Sequence, residues 1–163
     1  MQKLRDSSSG PKKKFLAGEP VDPDRSALMA RVLDKNSKPE IVVRQLVHAL
    51  GYRFRLHRRN LPGTPDLVFP SAQKAIFVHG CFWHRHKGCS RATTPTIRAA
   101  FWRDKFTRNV ERDSRKAKAL RGIGWKILVV WECETFDPKP LATRLSAFLR
   151  YPRQRTGSLQ KNK

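Results

Sequence analysis

Three cysteines and one histidine are the residues of this sequence whose types most directly suggest chemistry. Cys81, His86 and Cys89 share one short segment, and Cys133 lies much further along the chain. Structural Zn²⁺ sites use four sulfur or nitrogen ligands in a tetrahedron, often with two or three of them on one loop. These residues supply that number and predict a closed, structural zinc site. The alternative is three buried free thiols, because cysteine also packs as a small apolar residue.

A second group of residues could hold a hard cation. Asp66 follows Pro65, and the next predicted strand ends at His79. An aspartate at the end of one strand and polar groups on the next can hold Mg²⁺ against a phosphate, because Mg²⁺ prefers oxygen ligands and keeps several waters. The arrangement resembles the core of the PD-(D/E)XK nucleases, although Phe77 replaces the usual glutamate and His79 the usual lysine.

Hydrophobic periodicity and capping signals predict the elements that position these residues. Ser37 and Glu40 form a capping box that begins a helix, and Gly51 ends it. The predicted elements are that helix, strands over residues 52–56, 66–69 and 75–79, a helix over 97–120 with a possible break near 107–109, a strand over 125–131 and a last helix ending at Leu149. The order α-β-β-β-α-β-α predicts an α/β fold, in which a mixed central sheet is flanked by helices.

The charge of the chain points to a polyanionic partner. The formal net charge is +22 over 163 residues, with a pI near 11.1. Residues 1–14 carry +4, residues 150–163 carry +5 and the body carries the remaining +13. The excess favours nucleic acid over small anionic metabolites, and a merely solubilising surface is the alternative. We expect a disordered basic arm over 1–24, one folded domain over 25–150 and a disordered basic tail over 151–163.

Several classes of protein are excluded by simpler features. No run of apolar residues reaches the length of a membrane span, and the polar first residues lack the apolar core of an export signal. An odd number of cysteines without such a signal argues against a disulfide framework. These features predict a protein that is not exported and makes no contact with membranes.

Longer motifs make the resemblance more specific. The chain resembles the very short patch repair (Vsr) DNA mismatch endonucleases over roughly residues 25–150. The motifs that carry the resemblance are Arg25-Ser26 with Met29, Leu61-Pro62-Gly63-Thr64-Pro65-Asp66, His79-Gly80-Cys81-Phe82-Trp83-His84, Phe101-Trp102, Asn109-Val110-Glu111-Arg112-Asp113, Gly124-Trp125 and Val130-Trp131-Glu132-Cys133. The resemblance implies a restriction-endonuclease-like fold and an enzyme that nicks one strand 5′ to the T of a T:G mismatch, which arises by deamination of 5-methylcytosine.

The resemblance also implies the roles of individual catalytic residues. Asp66 would be the Mg²⁺ carboxylate, and Val78 would offer its backbone carbonyl to the metal. His84 would be the general base that activates water, with Asp113 orienting it. His79 would sit beside the scissile phosphate as an assisting acid or a phosphate ligand. The alternatives are a turn aspartate, a surface histidine with a helix carboxylate that pairs with Arg112, and a strand-end histidine bonded in the core.

Three further assignments follow from the same resemblance. Glu40 would be an acidic residue near the active site, although its capping box explains it nearly as well. Phe82, Trp83 and Trp102 would be aromatic wedges beside the mismatch, where unstacking costs least. The alternatives are that Phe82 and Trp83 pack on the zinc loop and that Trp102 anchors a helix to the core. The implied zinc ligands are Cys81, His86, Cys89 and Cys133.

The expected partner is double-stranded DNA with a T:G mismatch. The resemblance also implies a functional link to a cytosine-5 DNA methyltransferase and to mismatch-repair proteins. The resemblance carried by the longer motifs further implies a bacterial-type cytoplasmic, nucleoid-associated protein that acts as a monomer. Two alternatives stay open from the residues alone. One is a Vsr-like nickase of genome defence with different or no mismatch specificity, and the other is a catalytically silent, zinc-stabilised DNA-binding module.

Overall fold

The structure is a computed structural model that describes residues 36–150. Within this range the elements are α1 (Lys38–Ala49), β1 (Arg55–Leu56), β2 (Leu67–Phe69), β3 (Lys74–His79), α2 (Ala99–Gly122), β4 (Lys126–Trp131) and α3 (Pro138–Leu149). Short 3-10 turns at Pro70–Ala72 and Glu132–Phe136 connect their neighbours. The order matches the prediction. The expected arms over 1–24 and 151–163, and Arg25, Ser26 and Met29, lie outside the described residues.

The four strands form one mixed sheet in the order β1-β2-β3-β4. β2 is antiparallel to both of its neighbours, whereas β3 and β4 are parallel and are joined by α2. Parallel strands end at the same edge of a sheet. The segments after His79 and Trp131 therefore leave from the same edge, and the register, which pairs these two residues, places them side by side.

Helices cover both faces of the sheet. On one face, α1 and α3 pack their apolar sides on alternate strand residues, in a core formed by Val43, Val47, Leu67, Phe69, Ile76, Val130, Leu141, Leu145 and Leu149. On the other face, Leu120 of α2 packs with Leu61 and Val68. Because successive strand residues point to opposite faces, Leu67 and Val68 belong to different cores. The predicted mixed sheet flanked by helices is confirmed.

Two local predictions differ from the structure. The strand expected over residues 52–56 pairs only at Arg55 and Leu56, because Tyr52 and Phe54 pack against the core without strand hydrogen bonds. The possible break near residues 107–109 is absent, since α2 is continuous. Thr107 donates to the carbonyl of Arg103 at 3.0 Å, so its hydroxyl is satisfied inside the helix.

Candidate active site and metal cluster

Asp66 lies at the sheet edge where β3 ends. Pro65 is fully buried beside it, and Asp66 Oδ2 accepts a hydrogen bond from the backbone N–H of Val78 at 2.8 Å. Burial raises the pKa of Asp66 to about 6; the Val78 hydrogen bond opposes this shift, and the negative charge of Glu40 adds to it. A carboxylate whose charge is this unfavourable in the free protein is suited to binding a cation.

Glu40 lies at the start of α1 and faces the same cavity. Only 6% of the residue is exposed, and its carboxylate accepts from Ser37 Oγ at 2.9 Å and from Arg44 at 2.8 Å. Its charge acts on Asp66, so the two carboxylates lie close together. The predicted capping box is present, and the same side chain also faces the candidate site. The two interpretations of Glu40 are therefore compatible.

Three further site residues, His79, His84 and Asp113, converge from the end of β3, from the loop after it and from α2. The rings of His79 and His84 stack with 3.9 Å between their centroids. His84 Nδ1 lies 2.5 Å from Asp113 Oδ2, which leaves Nε2 of His84 for another partner. One ligand atom from each of these residues lies within 4.8 Å of the others. The surface-histidine alternative does not describe this arrangement, because His84 and Asp113 are both partly buried against each other.

The fold shifts the pKa values of His79 and Asp113, and the causes differ between the two residues. Burial and the neighbouring imidazole of His84 lower the pKa of His79 to about 4. Burial raises the pKa of Asp113, but the hydrogen bond and the charge of His84 outweigh it, so the net direction is downward. His79 is therefore neutral at pH 7 in the free protein, and Asp113 is a carboxylate. A neutral His79 fits a phosphate ligand better than a proton donor.

These residues line one open cleft with a volume of about 1550 Å³. Its walls carry Glu40, Asp66, His79, His84 and Asp113, together with the basic side chains of His57, Arg59, Arg85, Lys87, Arg112 and Lys116. Pockets for drug-sized ligands are usually about 300–1,000 Å³. A larger, open and basic cleft is suited to a polyanionic polymer.

The four predicted zinc ligands form a separate cluster. Cys81, His86, Cys89 and Cys133 each bring one ligand atom within 4.8 Å of the others. His86 Nδ1 lies 3.6 Å from Cys81 Sγ and 3.3 Å from Cys133 Sγ. Bond lengths of about 2.1 and 2.3 Å in a tetrahedron require a nitrogen–sulfur separation of about 3.6 Å. The cluster can therefore hold a metal ion, and three unrelated buried thiols would not converge on a histidine.

The cluster fixes the loops that follow β3 and β4. Cys81 is completely buried, and burial raises the pKa of its thiol to about 12. The ring of His86 stacks on Trp131, with 4.3 Å between centroids. Cys81 N–H donates to Glu132 Oε2 at 3.2 Å. A metal at this cluster would therefore hold both loops beside the cleft.

The three predicted wedge residues lie together. Phe82 contacts Trp83 and Trp102 with centroid distances of 5.1 and 5.6 Å. Phe82 and Trp83 are partly exposed, whereas Trp102 is only 8% exposed. Trp83 also lines the cleft. The burial of Trp102 fits its alternative interpretation as a helix anchor.

Sequence reasoning missed Phe106, which belongs to this aromatic group. Phe106 contacts Phe82 and is 4% exposed, and Lys105 Nζ lies 5.0 Å from the centre of a Trp83 ring. Phe106 follows Trp102 by one helical turn, a spacing that could have revealed it. Asn109 Nδ2 donates to the Trp83 carbonyl at 3.2 Å, which ties the loop to α2.

The structural class of this protein is an α/β fold whose parallel strands end beside a cleft lined by carboxylates and histidines and a Cys/His cluster that could hold a metal ion. Comparison with known proteins gives the family. The family model for the DNA mismatch endonuclease Vsr matches residues 21–91. The type II nicking enzyme V.XorIIP of Xanthomonas oryzae pv. oryzae is 51% identical over 125 residues, which are 77% of this chain and 91% of the relative.

Two further relatives support the same family. V.NmeAIP of Neisseria meningitidis, a type II nicking enzyme, is 36% identical over 77% of this chain and 89% of its own. The DNA mismatch endonuclease Vsr of Escherichia coli is 39% identical over 77% of this chain and 83% of its own. The chain belongs to the Vsr family of DNA endonucleases, so the resemblance found in its motifs is confirmed.

Among residues 36–150, no helix combines the length and apolar character that a membrane crossing requires.

Proposed function

We propose that this protein is a Mg²⁺-dependent endonuclease that nicks one DNA strand 5′ to the T of a T:G mismatch. The observation that carries the proposal is the meeting of Asp66 with the His84–Asp113 pair in one basic cleft. The proposal includes a restriction-endonuclease-like arrangement of the sheet. It also includes a link to repair of deaminated 5-methylcytosine, and therefore to a cytosine-5 methyltransferase and mismatch-repair proteins.

The residues at the end of β3 would hold the Mg²⁺. Asp66 offers a carboxylate, Val78 a backbone carbonyl and Glu40 a second negative charge nearby. These are hard oxygen donors, which Mg²⁺ prefers, and the raised pKa of the buried Asp66 carboxyl supports a site where a cation would offset an unfavourable negative charge. When bound, Mg²⁺ would polarise the phosphate and stabilise the negative charge that develops on it.

The histidines would carry out the proton transfer. His84 Nε2 would take a proton from the attacking water, since Asp113 holds Nδ1 and thereby fixes the tautomer. The water oxygen forms a bond to phosphorus while the bond to the leaving sugar oxygen breaks, and that oxygen takes a proton from solvent. His79, neutral and stacked on His84, would donate a hydrogen bond to a phosphate oxygen and keep the His84 ring in place.

The aromatic group beside the cleft would select the mismatch. Phe82 and Trp83 are the partly exposed members, so they would insert first, with Trp102 behind them. Inserting apolar side chains between base steps requires unstacking, and this costs less at a mismatch than in paired DNA. Selectivity would therefore come from deformation of the DNA as well as from contacts with bases.

The metal cluster would hold structural Zn²⁺. Three thiolates and one imidazole form a closed shell, which leaves no position for water or substrate. The ion would join the loops after β3 and β4 and so fix the peptide that carries Phe82, Trp83 and His84. We assign it no direct part in the reaction.

The basic arms would add affinity without specificity. Residues 1–14 carry +4 and residues 150–163 carry +5 at the two ends of the proposed endonuclease domain over 25–150, and contacts of lysine and arginine with phosphates release counterions. Deleting residues 1–14 and 150–163 should therefore flatten the dependence of DNA affinity on salt and leave mismatch preference unchanged. Loss of preference would show that the arms read the site. The proposed enzyme acts as a monomer in the compartment that contains the chromosome.

One assay tests the proposed function against both alternatives. A duplex with a single T:G mismatch is incubated with Mg²⁺ and wild-type protein, beside a matched duplex and an Asp66→Ala variant. A nick 5′ to the T that the variant does not make supports the proposal. Tight binding without a nick in any divalent metal would support a silent binding module, and equal nicking of both duplexes would support a nickase without mismatch specificity.

A further inference from the structure

Lys116 projects from α2 into the cleft but takes no part in the site described so far. It lies three residues after Asp113, so the two side chains share one face of the helix. Lys116 is half-buried and lines the same cleft as Asp66, His79 and His84. Its position therefore places an ammonium group beside the proposed reaction centre.

The turn before β2 is shaped to receive this lysine. Gly63 has a φ of +83°, and a Cβ added there would lie 3.0 Å from Lys116 Cβ and 3.1 Å from Lys116 Cδ. A glycine lets the backbone approach the lysine stem where any other residue would displace it. The stem is thus held between the turn that leads to Asp66 and the helix that carries Asp113.

The ammonium group of Lys116 has no anionic partner within residues 36–150. Lys116 also makes no hydrogen bond to these residues, whereas Arg85 donates to the Thr93 carbonyl at 2.9 Å and Arg112 donates to Asn109 Oδ1 at 2.8 Å. The nearby Asp113 carboxylate is bonded to His84. The positive charge of Lys116 is close enough to His79 to contribute to the lowered pKa of that imidazole. A half-buried, unpaired cation in a cleft is arranged for an anionic ligand.

We propose that Lys116 is a further catalytic residue, whose ammonium group donates a hydrogen bond to a non-bridging oxygen of the scissile phosphate. There it stabilises the negative charge that increases as the water oxygen adds to phosphorus, and it transfers no proton. β3 offers no lysine to this site because His79 occupies the end of the strand. Lys116 supplies that charge from α2. This inference rests on the proposed function.

The first test separates catalysis from binding. The nicking rate is measured in single turnover at saturating protein, and the Kd is measured separately, for wild type, Lys116→Ala, Lys116→Arg and the control Lys118→Ala, which is exposed on the same helix and outside the cleft. For Lys116→Ala we expect a rate about 10- to 100-fold lower with a Kd within about threefold of wild type. Arginine should restore part of the rate, and the control should change neither quantity. A weaker Kd with an unchanged rate, or no change at all, overturns the proposal.

The second test does not depend on nicking. Affinity is compared for a T:G duplex and the same duplex with a neutral methylphosphonate at the phosphate 5′ to the T. This replacement should weaken binding of wild type more than binding of Lys116→Ala, by a factor of up to about three, which is the share of the affinity that the first test leaves to Lys116. Equal losses in the two proteins show that Lys116 does not contact this phosphate. Wild-type protein that fails to nick contradicts the proposed function, whereas this comparison of affinities still decides the contact.

Discussion

The imidazole ring of His79 stacks on that of His84, with 3.9 Å between centroids and 11° between the ring planes. His84 is bonded to Asp113, whereas His79 has no carboxylate bonded to it within residues 36–150. The stack therefore contains one imidazole paired with a carboxylate and one that burial keeps neutral. This difference allows two adjacent histidines to have separate roles.

The neutral state of His79 predicts a dependence of stability on acid. The pKa of this histidine is 6.5 when unperturbed and about 4 in the fold, so between these values only the unfolded chain binds the proton. Stability is therefore lost as the pH falls from 6.5 to 4. Relative to wild type, His79→Gln should gain about 3 kcal/mol across this window. Urea unfolding at several pH values measures the difference. His48→Gln, which removes an exposed imidazole, is the control, and a pH-independent difference for His79→Gln would contradict the assignment.

The raised pKa of Asp66 predicts that the stability of the fold depends on pH in the opposite direction. Its pKa rises from 3.8 to about 6 on folding, so the folded chain binds the proton more strongly and stability is lost as the pH rises through this window. In Mg²⁺-free buffer at pH 8, Asp66→Asn should be more stable than wild type by about 3 kcal/mol, and the gain should vanish below pH 4. Thermal unfolding with and without Mg²⁺ tests this, because added Mg²⁺ should stabilise wild type alone. Asp104→Asn, an exposed aspartate that pairs with Arg108, is the matched control.

The His84–Asp113 pair predicts a graded loss of activity. His84→Ala should reduce the single-turnover nicking rate by about 10²- to 10⁴-fold, because the general base is removed. Asp113→Asn should lower the rate less, because the imidazole remains but its tautomer is no longer fixed. Glu111→Gln on the same helix, where the side chain is exposed, should leave the rate unchanged. Full activity of Asp113→Asn would remove the orienting role from Asp113.

The metal cluster predicts that metal content and folding are coupled. Wild-type protein should contain one Zn²⁺ per chain, and His86→Ala should lose the ion and unfold at a lower temperature. Metal analysis and thermal unfolding of the same samples measure both quantities. His48→Ala should retain the ion and the midpoint. A metal-free protein with an unchanged midpoint would show that the cluster is dispensable for the fold.

Trp83 predicts a change in selectivity. Trp83→Ala should reduce the difference in binding free energy between the T:G duplex and the matched duplex by about 1–3 kcal/mol, which is the energy of stacking a base on an aromatic ring. Phe136→Ala is the control, since Phe136 is 61% exposed and does not line the cleft. Competition binding with both duplexes measures this difference. An unchanged difference would exclude Trp83 as a wedge.

Local signals predicted the elements well. The capping box of Ser37 and Glu40 depends on residues three apart, and α1 begins where that signal places it. Strand lengths depend on partners distant in sequence, so the pairing at Arg55 and Leu56 could not be delimited from alternation alone. Thr107 suggested a break in α2 by its residue type, but its hydroxyl bonds within the helix.

The part of the candidate site that the sequence could predict is the part built from uncommon residue types. Three cysteines and a histidine could satisfy one metal only by converging, and the structure brings Cys133 to Cys81. Nothing in the sequence distinguishes Lys116 from the other basic residues, because the chain has 35 lysines and arginines in total. Its place in the cleft depends on the close approach of Gly63, a contact between distant segments that composition and periodicity do not reveal.

The central claim is that this protein cuts DNA at T:G mismatches. The most direct measurement is a competition in one Mg²⁺-containing reaction between two labelled duplexes that differ only in T:G against C:G, with the cut mapped to the nucleotide. We expect preferential nicking of the T:G duplex, in one strand, at the phosphate 5′ to the T. Equal rates on the two duplexes, or a cut at another phosphate, would contradict it.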